Sequence, residues 1–294
     1  MSKKKDKNEV TKVTEWKRPE ATGKIPTKRS GHTLSLVESS VYLFGGCTAH
    51  ASNGKPGTTN ELFALDVSQG NYHWTVPTTA GNMPDSRWHH TANVFDTSKI
   101  VYFGGFHDNV KRLNDVWVLD TVTLSWSQPV ASAMLSKISP DENLKSKLSV
   151  KPQSRGSHSA TLFKKQLIIF GGYGGSAWAR HDFNDLWALN LDTWSWEELE
   201  CSGEIPEERC GHSANLMNDQ IFVVGGWNAH TQYDDLHILD TNEWVWSKTE
   251  TNLGIPLAMH SAILVVAVPE WKLFVYGGPG AGLEYEKRKF RVFV

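Results

Sequence analysis

Five times along the chain an apolar run ends in a pair of glycines: VYLFGG at Gly45, IVYFGG at Gly104, LIIFGG at Gly171, IFVVGG at Gly225 and LFVYGG at Gly277. The pairs lie 59, 67, 54 and 52 residues apart. Each follows a histidine (His32, His90, His158, His212, His260) by 13, 14, 13, 13 and 17 residues. Three positions before the first four histidines stand Arg29, Arg87, Arg155 and Arg209; Leu257 takes that place in the fifth repeat. After the first four pairs comes a segment of acidic then alternating apolar residues, NELFALD, NDVWVLD, NDLWALN and DDLHILD, and then a tryptophan: Trp74, Trp126, Trp196 and Trp246.

This pattern predicts four short strands per repeat. Strand a begins at the histidine, strand b is the run into Gly-Gly, strand c is the alternating segment, and strand d carries the tryptophan. Alternation with Gly, Pro, Asn and Asp between segments reads as strand and turn, and no stretch has a capped helical period. A four-stranded unit cannot bury both faces alone, so its copies must cover one another. Stacked radially they form an all-β propeller.

Arg-x-x-His-Ser/Thr, Gly-Gly, an acidic-apolar strand and a tryptophan together resemble the kelch repeat, from Trp16 nearly to the end. The fifth repeat departs from it, lacking the arginine and the acidic pair. Trp16 precedes Arg29 by 13 residues, as Trp74 precedes Arg87, so the chain starts on a strand d without its own a, b and c. The fifth repeat supplies a and b, and KFRVFV (289–294) reads as its c. The expectation is a five-bladed ring over 13–294, closed by the Trp16 strand completing the last blade; the resemblance leaves a longer chain forming a six- or seven-bladed ring as the alternative. Residues 1–12 form a basic disordered tail, and 129–154 an inserted loop that lengthens the Trp126 to Arg155 interval to 29 residues.

A group repeated in every blade serves packing, whereas catalysis needs a group once. Gly45, Gly46, Gly104, Gly105, Gly171, Gly172, Gly225, Gly226, Gly277 and Gly278 are expected to end strand b where backbones crowd. The tryptophans are expected to fill the gaps between blades. The arginines and histidines are expected to hydrogen-bond backbone carbonyls. The competing reading is a metal-dependent enzyme, with the five histidines converging on the axis. Neither a copper-radical cysteine–tyrosine context nor the Glu-x-x-x-Asp-x-x-x-His signature of plant specifier proteins, both kelch-like, occurs. G-x-S-x-G, P-loop and H-E-x-x-H motifs are also missing. No catalytic residue, metal or cofactor is expected.

The formal net charge of −2 offers no global attraction to nucleic acid or anionic membranes. The longest apolar run, Ala262 to Val268, is too short to span a bilayer. Three cysteines build no disulfide framework, which fits a cytoplasmic setting, with nucleus or cytoskeleton as variants. In kelch-type adaptors the residue after Gly-Gly lies at the mouth and contacts ligand; here the resemblance points to Cys47, Phe106, Tyr173, Trp227 and Pro279. The neighbouring His107, Trp178, Arg180, Asn228 and His230, with Trp88 and Cys210, make this face rich in the residue types that dominate binding hot spots. The resemblance thus implies a non-enzymatic scaffold or adaptor for a peptide or protein, in a ubiquitin-ligase, small-GTPase or cytoskeletal/ciliary setting.

Overall fold

The computed structural model describes residues 19–49, 57–70, 72–129, 150–176, 179–250, 252–267, 270–278 and 291–293. The expected closing strand at Trp16, the basic tail, Trp178, Pro279 and most of the insert lie outside them.

Among the seven sheets of the described residues, five successive ones repeat the same strand order along the chain, and we number them units I to V. Unit I has strands a Thr33–Val37, b Ser40–Phe44, c Leu62–Asp66 and d Tyr72–Thr75. Unit II has Thr91–Phe95, Lys99–Phe106, Arg112–Asp120 and Ser125–Ser127. Unit III has Ser159–Phe163, Gln166–Phe170, Leu186–Asn190 and Trp196–Glu198. Unit IV has Ser213–Met217, Gln220–Val224, Leu236–Asp240 and Val245–Lys248. Unit V has a His260–Ala267, b Glu270–Gly277 and c Arg291–Phe293, the last within the expected KFRVFV strand. Strands a to d pair antiparallel in chain order. Strand a of each unit packs on strand a of the next, from I through V.

The core lies between sheets. Tyr42, Phe44 and Leu62 of unit I meet Ile100, Tyr102, Leu119 and Trp126 of unit II. Val101 and Phe103 meet Leu167, Ile169 and Leu189 of unit III, and Phe170 and Leu186 meet Val223 and Trp246 of unit IV. Trp126, Trp196 and Trp246 fill these gaps, 5.1 Å from Phe44, 4.9 Å from Phe103 and 5.0 Å from Phe170, ring to ring across the joint, whereas Trp74 packs on Phe63 of its own unit. The second glycine of each pair is required by a close approach. Gly105 has φ +96°, and a β-carbon there would lie 2.8 Å from both Trp88 O and His90 Cβ.

The arginines also match expectation, with an addition. Arg87, Arg155 and Arg209 are fully buried. Each bonds the first-glycine carbonyl of its own unit (Gly104, Gly171, Gly225) at 2.9–3.0 Å and forks onto a strand-c aspartate, Asp115, Asp185 or Asp235. Arg29 has the exposed Glu61 instead. His32 bonds the Arg29 backbone, but His90, His158, His212 and His260 correct the expectation of carbonyl partners. Their Nε2 atoms meet side-chain hydroxyls of the preceding unit, as in Thr33–His90 and Ser159–His212, both 2.9 Å. A hydroxyl both donates and accepts, so it can partner the Nε2 of a buried neutral imidazole in either tautomer, while the Nδ1 of these four rings has no hydrogen-bond partner among the described residues.

Candidate interaction face

Past each of the first four glycine pairs the chain turns to the loop face and binds the segment that enters its own unit's strand a. Trp88 pairs with Phe106, Gly156 with Tyr173 and Cys210 with Trp227 as short antiparallel bridges. Cys47 pairs with Ser30 and with Thr58 in a small three-stranded ladder. Backbone pairing therefore fixes where the post-glycine side chains emerge.

From units II, III and IV they converge. The Trp88 ring lies 6.0 Å from Phe106, and Phe106 lies 4.7 Å from Tyr173. The Arg180 guanidinium stacks between Tyr173 and Trp227, 4.1 and 4.3 Å from the two ring centroids. It is locked by a two-pronged pair to the buried Asp182 (2.8 and 2.7 Å) and by a 3.3 Å contact to Cys210 Sγ. Burial pushes the Cys210 thiol up to about 12, so it is a neutral packing group and not a nucleophile. Tyr173, Arg180, Trp88 and Trp227 are each partly exposed.

Phe106 is corrected from an open contact to a floor. It is 1% exposed, lying under Gly156, where a β-carbon would come within 2.6 Å of its ring, and under the Arg112 guanidinium at 4.5 Å. Cys47, in the unit I loop, and His107, which follows Phe106 but bonds toward Thr58 and Ser86, are absent from the stack. His107 Nδ1 meets Ser86, and its carbonyl accepts from Thr58 Oγ1. His230 sits on an exposed turn held by Asn228 Oδ1. Sequence reasoning missed Arg112 and Asp182. Arg112 opens strand c of unit II and Asp182 lies between strands b and c of unit III, and the only signal for either was a charged residue close to a post-glycine aromatic.

Burial holds His90 and His158 well below the ordinary imidazole range, His212 at about 3 and His260 at about 4. Among the described residues no three or more His, Cys, Asp or Glu side chains gather as a metal-holding group. No helix of the described residues is long and apolar enough to cross a membrane.

Comparison with known proteins agrees with this architecture. The KLHDC2/KLHL20/DRC7 Kelch-repeats domain matches residues 8–142 and 137–278. The chain is 30% identical to the flagellar outer arm dynein alpha chain of Chlamydomonas reinhardtii, over 92% of this chain and 6% of that one. It is 32% identical to human Host cell factor 1 over 78% and 12%, and 29% identical to bovine Kelch domain-containing protein 3 over 76% and 57%. The chain thus spans less than two thirds of each of these relatives. With repeats, sheet order and domain match in agreement, the chain belongs to the kelch-repeat family.

Proposed function

We propose that this chain is a non-enzymatic interaction scaffold that binds a peptide or protein on the face formed by Trp88, Tyr173, Arg180 and Trp227. The observation that carries the reading is the Tyr173–Arg180–Trp227 stack, built from two units and clamped from below by Asp182. Aromatic rings fixed by an arginine give large contact area with little side-chain entropy left to lose, which is how anchors concentrate binding energy. Around them Arg112, His107 and His230 offer polar contacts; Arg112 has no carboxylate partner among the described residues. The likeness to a dynein arm chain favours the cytoskeletal or ciliary setting among those the resemblance implies. A ring of five closed through Trp16 and a larger ring both bring this face together.

The test is quantitative capture of partners by the wild type, by a Tyr173→Ala/Trp227→Ala variant and by a chain lacking residues 131–150. The double variant should stay folded and lose its main partner, and the deletion should keep it. The opposite result moves the working surface to the inserted loop.

A further inference from the structure

The face built from Trp88, Tyr173, Arg180 and Trp227 offers a partner only some of the bonds by which peptides are recognised. Its backbone is already paired. Phe106 and Trp88 exchange both backbone bonds, at 2.9 and 3.0 Å. Tyr173 and Gly156 do the same at 3.0 Å each, and Trp227 and Cys210 at 3.0 and 2.8 Å. A partner strand laid against these residues would find their N–H and C=O groups taken, so recognition by strand addition does not suit this face.

Its charge is matched as well. Asp182, 7% exposed, accepts two bonds from Arg180, at 2.8 and 2.7 Å, so the cation between the rings is neutralised from below. Arg112 lies at the margin as a single guanidinium, stacked on Phe106 at 4.5 Å and bonded to Asp108 O at 2.8 Å. Recognition of acidic motifs uses arginines that are clustered and unmatched. An amphipathic helix needs a continuous apolar trough. Here Phe106 is 1% exposed, and the Arg180 guanidinium fills the space between Tyr173 and Trp227.

Aromatic rings and side-chain donors are what the face has to offer. Trp88, Tyr173 and Trp227 are each partly exposed. An indole N–H only donates, and a phenol hydroxyl donates readily. The matching ligand carries carbonyl acceptors and few N–H groups of its own. A proline-rich segment does so: proline has no N–H, and in the polyproline II helix the carbonyls bond to nothing within the chain. The spacing agrees. The Tyr173 and Trp227 ring centroids lie 4.1 and 4.3 Å from the Arg180 guanidinium carbon, so they are at most 8.4 Å apart, the sum of the two. One turn of polyproline II is three residues and about 9 Å. Resting on the binding face proposed above, we infer that this face takes a proline-rich segment in the polyproline II conformation. Prolines three apart rest on Tyr173 and Trp227 with the Arg180 plane between them, and Trp88 donates to a carbonyl further along. Such a segment already holds its bound shape and has little order left to lose.

Calorimetric titration of the full chain with an acetylated, amidated decaproline tests this, beside a Gly-Ser ten-mer and an acidic Glu-Gly ten-mer. Decaproline should bind saturably and at least about tenfold tighter than either. Trp227→Phe keeps a ring and loses the N–H, and should weaken decaproline about fivefold, the loss expected for one hydrogen bond. The Tyr173→Ala/Trp227→Ala variant should lose it altogether. Decaproline binding no tighter than the Gly-Ser peptide overturns the inference, as does binding undiminished in the double variant. Tighter binding of the acidic ten-mer overturns it in favour of a carboxylate ligand. If decaproline fails while the double variant still loses the captured partner, the binding face stands and only its ligand class is wrong. If the double variant keeps the captured partner, the face itself is wrong and the inference falls with it.

Discussion

At the scale of single residues, units II, III and IV are each organised by one buried cation. Arg209 is fully buried, forks onto Asp235 and holds Gly225 O, while Asp235 also meets His237 Nε2 at 3.1 Å. Burial alone would raise the Asp235 carboxyl, but the bonds from His237 and Arg209 hold it well below the usual carboxylate range. Arg209→Ala leaves that carboxylate and a buried carbonyl unmatched, and should cost about 3–5 kcal/mol in urea unfolding. A loss as small as that of an exposed ion pair, under about 1 kcal/mol, would contradict this role. The arginines were legible as structural from repetition alone. Their aspartate partners were not singled out, because an acidic residue opening a strand looks the same whether solvated or buried.

The histidines give the fold a pH dependence of definite sign. His212 titrates at about 3 when folded, against 6.5 as its ordinary value. Between these values the unfolded chain binds the proton and the folded chain does not, so stability falls as pH drops from about 6.5 toward 3. Each such histidine contributes a slope of up to about 1.4 kcal/mol per pH unit in that window. His212→Asn should flatten the dependence of the urea midpoint between pH 6 and 4.5. An unchanged slope would show that His212 is not held neutral.

At the scale of elements, the joint between sheets is the unit of stability. Trp126, 4% exposed, touches Phe44 across the I–II joint and Tyr102 of its own unit. Trp126→Ala should therefore cost about 3–5 kcal/mol as a cavity. Trp227 is partly exposed and, among the described residues, its ring stacks with Arg180, so Trp227→Ala should change stability by no more than about 1 kcal/mol. Parallel thermal melts decide this, and equal losses would mean that Trp227 is core. Strands a to d were readable because alternation and Gly-Gly mark them. The parallel additions Ala21–Gly23 beside Tyr72–Thr75 and Ser202–Gly203 beside Val245–Lys248 were not. These short, small-residue segments carry no alternation and are recruited by the edge they pass.

At the scale of the whole molecule, separation in sequence becomes proximity on one face. Trp88 and Trp227 are distant along the chain yet linked through Phe106, Tyr173 and Arg180. The equivalence of post-glycine positions was legible from the repeat. Which of them stays open was not, since burial of Phe106 depends on Gly156 and Arg112 from other segments. With a net charge of −2, binding should rest on these anchors more than on long-range attraction. Raising salt from 0.05 to 0.5 M should weaken partner capture only about two- to threefold, because screening acts chiefly on exposed charges.

The most direct measurement is hydroxyl-radical footprinting of the chain alone and with its captured partner. The account predicts protection of Tyr173, Trp227 and Trp88, with no change at Val122 on the far outer turn, which is exposed in the free chain. Protection confined to Val150 and the insert beside it, with Tyr173 and Trp227 as reactive as before, would contradict it.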